Sequence, residues 1–545
     1  MKSRITTIIA MAALAASAAT AQSAVDAYNI TPTQLRGTAR FVSMGGAFTS
    51  LGGDISSMTQ NPAGLGLYRY SDIGLSFDIS MRSNKTVSLS NTQSNSETKV
   101  KFDNFGYVGV SNLNGALRSI QWGFSYNRLA AFDRISSGYV LPTATSLSNY
   151  IASFTQGVNS DYLLDSSDSS FNPYFDAAPG TNDYADWLSV LAYNSFMINN
   201  TTSNTDYAGL YQQGTTGDAL FESRESGYVD EYNIDIAGNV NDVVYWGLGV
   251  GIVDMQYRNE ANYSESMEQA LVYNTKTDNL TAGNAAYNLY NHTFVSGSGA
   301  NLKLGVIVRP TDDLRIGLAV HTPTWLNLTH SGYGVVDYNY SPYTNVDASR
   351  PTLSGSSDTP DYEFGSRLNT PWRIMAGVSY TVASKAIISL DYERVAYNDM
   401  KLKEEAGGFM GSYVENTTAN TQVKELFKAS DIVRVGVEYR LSSSFSARAG
   451  FNWQGAAVRN AANNGSIEVS TSGLNPSYTF YGSTSNICLG LGYHYKNWYV
   501  DLAYQHTRRT GTYHAYTSFA GNAVTPSAKT TDNHNNIVIS TGFRF

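Results

Sequence analysis

Trp246-Gly247-Leu248-Gly249-Val250-Gly251-Ile252 alternates an apolar side chain with no side chain at all. A strand turns successive residues to opposite faces, so one face of this stretch is apolar and the other is bare backbone. A bare face lets something approach to backbone distance. Glycines at this spacing also imitate a nucleotide-binding loop, as does Gly490-Leu491-Gly492. Both runs lie inside strands with no helix behind them, so phosphate binding is not expected.

The same period runs through the chain. Leu302, Leu304, Val306 and Val308 alternate with Asn301, Lys303, Gly305 and Ile307. Val433, Val435, Val437, Tyr439 and Leu441 alternate with Arg434, Gly436, Glu438 and Arg440. Expected strands are Ser71–Met81, Lys99–Val110, Ser119–Leu129, Val229–Gly238, Val243–Met255, Asn301–Val308, Leu314–Val320, Trp372–Tyr380, Ala386–Tyr392, Val433–Leu441, Phe445–Trp453, Asn486–Tyr495, Trp498–Gln505 and Asn535–Phe545. Periodicity alone leaves two readings, a soluble sheet with its apolar face inward or a membrane barrel with that face toward lipid. Connection lengths decide between them. Short connections (Leu113–Leu117, Asn239–Asp242, Arg309–Asp313, Thr381–Lys385, Ser442–Ser444, Lys496–Asn497) alternate with long ones (Arg82–Thr98, Ala130–Tyr228, Gln256–Ala300, His321–Pro371, Glu393–Ile432, Gln454–Ser485, His506–His534). That asymmetry of periplasmic turns and extracellular loops belongs to an all-β transmembrane antiparallel barrel of about 14 strands. It also places both termini on the periplasmic side.

Composition agrees. Of 545 residues only 15% are charged, while 39 are Tyr and 47 are Gly, which suits interfacial girdles and a crowded lumen. The net charge of -9 argues against nucleic acid as a partner. Cys488 is the single cysteine, so no internal disulfide and no multi-cysteine metal site is expected; it reads as a small packed residue. The seven histidines are dispersed, without metal-ligand spacing. No nucleophile elbow is present, and no enzyme and no cofactor is expected.

Residues 1–21 read as a signal peptide: Lys2 and Arg4, an apolar run from Ile5, and Ala19-Thr20-Ala21 as the cleavage site, with cleavage after Ala21. Residues 22–66 follow as a separate unit. Its part Gly37–Gly66 is rich in Gly, Ser and Ala yet holds Phe41, Met44, Phe48, Leu51, Ile55 and Met58. A linker would leave these exposed, and the piece is too small for its own core. It must pack inside the barrel formed by residues 67–545.

Three groups of residues stand out as functional candidates. Within the largest loop, 130–228, the stretch Tyr184–Met197 reads as an amphipathic helix with Trp187, Leu188, Leu191 and Phe196 on its apolar face, a cap or a landing site for ligand. A shorter helix is expected at Val423–Lys428. Lys303, Arg315, Arg373, Asp391, Glu393, Arg434, Glu438, Arg440, Arg448 and Asp501 point into the lumen. Such mixed charges either set ion selectivity in an open pore or hold the polar backbone of a plug. The last strand, ending in Phe543-Arg544-Phe545, resembles the signal by which barrels are handed to the barrel-assembly machinery.

The third group carries a family likeness. Val42-Ser-Met44-Gly45-Gly46-Ala47-Phe48, Gly53-Asp54 and Asn61-Pro62-Ala63-Gly64-Leu65 resemble the N-terminal hatch of the FadL/TodX outer-membrane transporters, some relatives of which are labelled hemin receptors. His321-Thr-Pro-Thr-Trp325, Thr370-Pro-Trp372 and Leu390-Asp-Tyr-Glu393 resemble that family's strand-to-loop segments. The resemblance implies a fourteen-stranded barrel with a small hatch in the Gram-negative outer membrane, among lipid and lipopolysaccharide. It also implies passive uptake of a hydrophobic small molecule, a long-chain fatty acid or aromatic hydrocarbon. Alternatives are a polar porin or surface-adhesion barrel, then a hemin receptor.

Overall fold

A computed structural model describes residues 22–88, 91–140, 145–165, 171–176, 185–346, 349, 351–405, 412–517 and 526–545. The expected signal peptide lies outside the described residues. Fourteen strands close into a ring: β1 Asp72–Ser88, β2 Asn91–Asn112, β3 Leu117–Ala131, β4 Thr216–Val240, β5 Val244–Asn274, β6 Asn279–Val308 and β7 Leu314–His321 form one half. The other half is β8 Arg373–Val382, β9 Ala386–Val395, β10 Ser430–Arg440, β11 Phe445–Gln454, β12 Tyr478–Tyr495, β13 Trp498–His514 and β14 Ser527–Arg544. Each pairs antiparallel with its neighbours, and β1 closes the ring by pairing Asp72 with both Val108 of β2 and Arg544 of β14. Closure removes the unpaired edge that a lipid environment could not satisfy.

All fourteen expected strands are present, and what differs is their reach. A span of the hydrocarbon layer takes about 9–11 residues, yet β5 has 31 and β6 has 30. The segment expected as a loop between Met255 and Asn301 is the continuation of this hairpin, Gln256 pairing with Ser296 and Ser264 with Asn288. Beyond the membrane the outer face becomes polar, so the contrast that marked the strands fades while the pairing continues. At the opposite end the connections are tight, as in Asn241-Asp242, both with φ near +55°.

The outer face of the spanning part is apolar. Leu248, Val250 and Ile252 are 41–49% exposed, while Gly247, Gly249 and Gly251 between them are buried. Tyr380, Tyr439, Tyr495 and Trp498 are exposed near the short-turn end, and Trp325, Trp372 and Trp453 near the other. Apolar surface between aromatic girdles is the signature of a wall facing lipid.

The long-loop end carries a cap with its own core. Helices at Leu147–Thr155 and Trp187–Asn194 and a small two-stranded sheet pack against the extended hairpins, burying Ile151, Leu191, Ile198, Phe221 and Tyr340. The helix expected at Val423–Lys428 spans Thr417–Leu426, begun six residues earlier because the Asn416 side chain accepts from the Ala419 N–H as its cap. One expectation is corrected. The C-terminus does lie at the short-turn end, where Phe545 exchanges backbone hydrogen bonds with Ser71. The described chain, however, begins at the cap end: helix Ala24–Asn29 packs with Tyr397, Leu426, Phe427 and Phe480. An even strand count fixes only the ends of the barrel, and the segment before β1 runs the length of the lumen.

Candidate ligand channel

Residues 39–67 fold inside the ring as three short turns of helix, Ala39–Ser43, Ile55–Thr59 and Pro62–Leu67. The sequence explains the compactness of this hatch. Met44 ends the first turn, and Gly45 and Gly46 take φ of +65° and +74°, a left-handed pair that reverses the chain at little cost only in glycine. Asn61 caps the last turn by accepting from the Ala63 N–H at 3.0 Å and donates back to Thr49 O at 2.6 Å. Pro62 occupies the first helical position, where its missing N–H costs nothing. Ala63 is fully buried beside Tyr245 and Ile307, and a methyl group on Gly64 would meet Ser57 Oγ at 2.8 Å. Ala47 is also fully buried. Met44, Gly45, Gly46, Ala47, Asn61, Pro62, Ala63 and Gly64 thus each take part in a turn, a cap or a buried contact of the hatch.

The wall receives the hatch through its inward glycines. An added Cβ would lie 2.6 Å from Pro62 O at Gly247, 2.6 Å from Met44 O at Gly436, 2.7 Å from Ser50 Cα at Gly317 and 2.8 Å from Met44 Cα at Gly450. These come from β5, β10, β7 and β11, so the backbone of the hatch is sunk into bare strands all round the ring. Cys488 is buried in the same wall.

Lumenal charges latch it. The Thr49 N–H donates to Asp391 at 2.7 Å, Arg315 donates to Leu51 O at 3.1 Å, and Arg40 donates to Glu438 at 3.0 Å. Glu438 also receives Arg448, whose other nitrogen reaches Asp501 at 2.5 Å. Arg36 bridges Asp78 and Asp103, and the His321 ring N–H donates to Gln60 O at 2.9 Å. Arg373 and Arg434 share Glu393, and Lys303 pairs with Glu231. Arg440, on the same face, is exposed at the short-turn end. Arg36 and Arg40 escape a sequence reading because a single cation in a Gly- and Ser-rich stretch carries no sign of the distant acids it meets. Arg82, Arg509 and Asp532 escape it because they sit on strand extensions that read as loops.

Above the hatch the lumen holds a cavity of about 220 Å³ floored by Phe41, Thr59 and Gln60. Seven cations line it, Arg36, Arg82, Arg128, Lys303, Arg373, Arg434 and Arg509, against the acids Glu231 and Asp532. Asp532 holds both Arg82 and Arg509, and a further carboxylate, Asp230, holds Arg128. Ile30, Leu35, Leu129, Val253 and Met255 supply apolar wall between them. A smaller chamber of about 70 Å³ adjoins it toward the cap, lined by Tyr28, Phe132, Tyr257, Tyr397 and Tyr481. Arg509 stands over the Tyr481 ring at 3.7 Å.

The four candidate landing residues lie in the cap. Leu191 is fully buried, Trp187 and Leu188 are buried, and the Trp187 indole donates to Tyr174 O at 2.8 Å. Phe196 stacks on Tyr273 with ring centroids 5.5 Å apart. These contacts hold the cap together. Among the described residues no group of three or more His, Cys, Asp and Glu side chains is placed to hold a metal ion.

No protein-family profile matches the chain, and no curated protein matches it. Similar solved structures do exist. The P. putida toluene transporter TodX is 13% identical with a TM-score of 0.48, covering 94% of this chain and 99% of that one. A Pseudomonas aeruginosa FadL homologue is 12% identical, TM-score 0.49, covering 95% and 99%. The CymD monoaromatic hydrocarbon channel is 13% identical, TM-score 0.44, covering 94% and 99%. At these scores the likeness carries no inference about ligand.

Proposed function

We propose that the protein is an outer-membrane channel for passive uptake of hydrophobic compounds, long-chain fatty acids or aromatic hydrocarbons, into a Gram-negative cell. The observation that carries this reading is the stack along the barrel axis. A packed cap stands over an aromatic chamber, then a cavity of mixed apolar and cationic lining, then a hatch seated on bare strands. An apolar ligand gains about 0.8 kcal/mol per CH₂ on leaving water, so a graded series of such sites ending in lipid needs no energy input. The latches are hydrogen bonds and ion pairs, which a bound ligand can displace one at a time. In this proposal the cap faces outward, lipid and lipopolysaccharide surround the girdled wall, and the barrel-assembly machinery reads the strand that ends in Phe545.

Deletion of residues 27–65 tests it. Because the ring pairs without them, the truncated barrel is expected to insert into bilayers and to resist detergent until heated. Conductance across planar bilayers should rise from near silence to porin-like steps, while selective uptake of labelled dodecanoate by cells falls. A parent protein that already conducts in porin-like steps would favour the polar porin instead.

A further inference from the structure

On the cap side of the apolar band, the outward face of the wall changes character around the ring. Much of it carries both signs: Arg224 on β4 opposes Glu260 on β5, Lys403 opposes Glu415, and Arg394 pairs with Asp431 at 2.9 Å. The five adjacent strands β12, β13, β14, β1 and β2 differ. There Arg508 on β13, Lys529 on β14 and Lys85 on β1 are exposed and belong to no ion pair among the described residues. Strand alternation turns all three outward. Asn84 and Thr86 flank Lys85 and are buried, as are Ala528 and Thr530 about Lys529, while Thr507 and Arg509 about Arg508 line the lumenal cavity. Beyond the band, the described acids on these five strands are Glu97 and Asp532, both on the inner face with Lys99 and Arg82. The other outward side chains there are mostly Ser, Thr and Asn. A chain with a net charge of -9 thus keeps one extracellular face free of outward acids.

Register fixes the spacing of the three cations. Lys529 opposes Val87, two residues from Lys85, and Arg508 opposes Asn533, which opposes Ser83. With strands about 4.8 Å apart and residues about 3.3 Å apart, their Cα atoms form a triangle with sides of roughly 8, 12 and 14 Å. A molecule carrying several phosphates spans such a triangle, and a headgroup with one phosphate does not. Height points the same way. Arg508 stands four residues past Tyr504 of the aromatic girdle, and Lys85 four past Met81. Four residues are roughly 13 Å along a strand and, at a tilt of about 40°, roughly 10 Å in height. That is above the acyl chains and level with the phosphorylated sugars of a lipopolysaccharide leaflet. The surrounding hydroxyls and carboxamides suit sugar as donors and acceptors, and the cations suit phosphate.

We infer that Arg508, Lys529 and Lys85 form a docking site for the phosphates of lipopolysaccharide, holding a lipid A headgroup against this one side of the barrel. The site rests on the outer-membrane reading and gives it a defined lipid partner. Each exposed cation strengthens attachment to an anionic lipid about fivefold. Full-length protein in tetraethylene glycol monooctyl ether is titrated by native mass spectrometry with diphosphoryl lipid A, monophosphoryl lipid A and dioleoyl phosphatidylglycerol. Diphosphoryl lipid A is expected to bind at least tenfold tighter than phosphatidylglycerol, with the monophosphoryl form between them. The triple variant Lys85→Gln, Arg508→Gln and Lys529→Gln should bring diphosphoryl lipid A to within twofold of phosphatidylglycerol. Arg367→Gln, Lys401→Gln and Lys403→Gln, made together in the part of the wall that carries both signs, should leave the preference intact. Arg508→Gln alone, expected to weaken lipid A about fivefold, serves should the triple variant lose its heat-resistant folded band on a denaturing gel. Equal affinity for diphosphoryl lipid A and phosphatidylglycerol would overturn the inference. So would an undiminished preference in the folded variants, or an equal loss in the control triple. None of the three cations lines the lumen, so these outcomes leave the channel reading standing, and deletion of the hatch tests that reading separately.

Discussion

A paired substitution of two inward glycines, Gly247→Ala and Gly450→Ala, should unseat the hatch without opening the barrel. A carbon approaches another carbon at about 3.5–4.0 Å, and the new methyl at Gly450 would stand 2.8 Å from Met44 Cα. The hatch backbone must therefore retreat by roughly 1 Å there. At Gly247 the methyl meets Pro62 O at 2.6 Å and forces a comparable shift in a different hatch turn. Overpacking of this kind costs about 1–3 kcal/mol per site. Taken as independent, the two sites weaken hatch docking by about 2–6 kcal/mol, which raises the undocked population by roughly 30-fold to about 20,000-fold. The strain falls on the hatch because the strand backbones are fixed by hydrogen bonds on both sides. Gly482→Ala serves as control, since its methyl would meet nothing closer than 3.5 Å. Planar-bilayer recordings should show brief porin-like openings in the double variant and quiet traces in the control, with the same gel-shift temperature for both. A double variant as silent as the parent would refute the claim that the glycines exist to seat the hatch. A lowered gel-shift temperature would show that their role is in the wall itself.

Three further outcomes are expected. Val250→Arg, on the lipid face at 41% exposure, should destabilise folding into lipid vesicles by about 2–4 kcal/mol if it lies at mid-membrane, whereas a polar residue at neighbouring Gly249 should act only through crowding Asp235. Trp187→Asp with Leu191→Asp should cost on the order of 3–5 kcal/mol each by opening the buried cap, seen as faster proteolysis of residues 130–228 while the barrel stays heat-resistant. Burial pushes the Asp186 carboxyl up from 3.8 to about 7 at the head of the Trp187–Asn194 helix. The folded cap favours the protonated form, so its stability is full below pH 4 and declines as the pH rises toward 7. Hydrogen exchange of those helix amides, corrected for intrinsic rates, should show that decline, and Asp186→Asn should flatten it.

The sequence by itself determined the wall. Alternation such as Trp246 to Ile252 needs only neighbouring residues and the two-residue repeat of a strand, so fourteen strands, their faces and the barrel's polarity were legible. The need to bury Gly37–Gly66 was legible too, because an apolar segment without a core of its own must borrow one. Strand ends were not. Past Met255 the outer face of β5 and β6 turns polar while the inner face packs on the cap through Tyr263, Met267, Tyr287 and Leu289, and pairing with the neighbour, which periodicity cannot report, is what carries the strands on. Only the tertiary structure decided which glycine meets which hatch residue, that Arg36 and Arg40 cross from the hatch to the wall, and that Ala24–Asn29 sits at the cap end. It also brought Asn452, Asn486, Gln505 and Asn536 into one ladder. Each of these joins residues tens to hundreds of positions apart. Their proximity follows from ring closure and register, quantities set by the whole set of strand pairings and by no local stretch of chain.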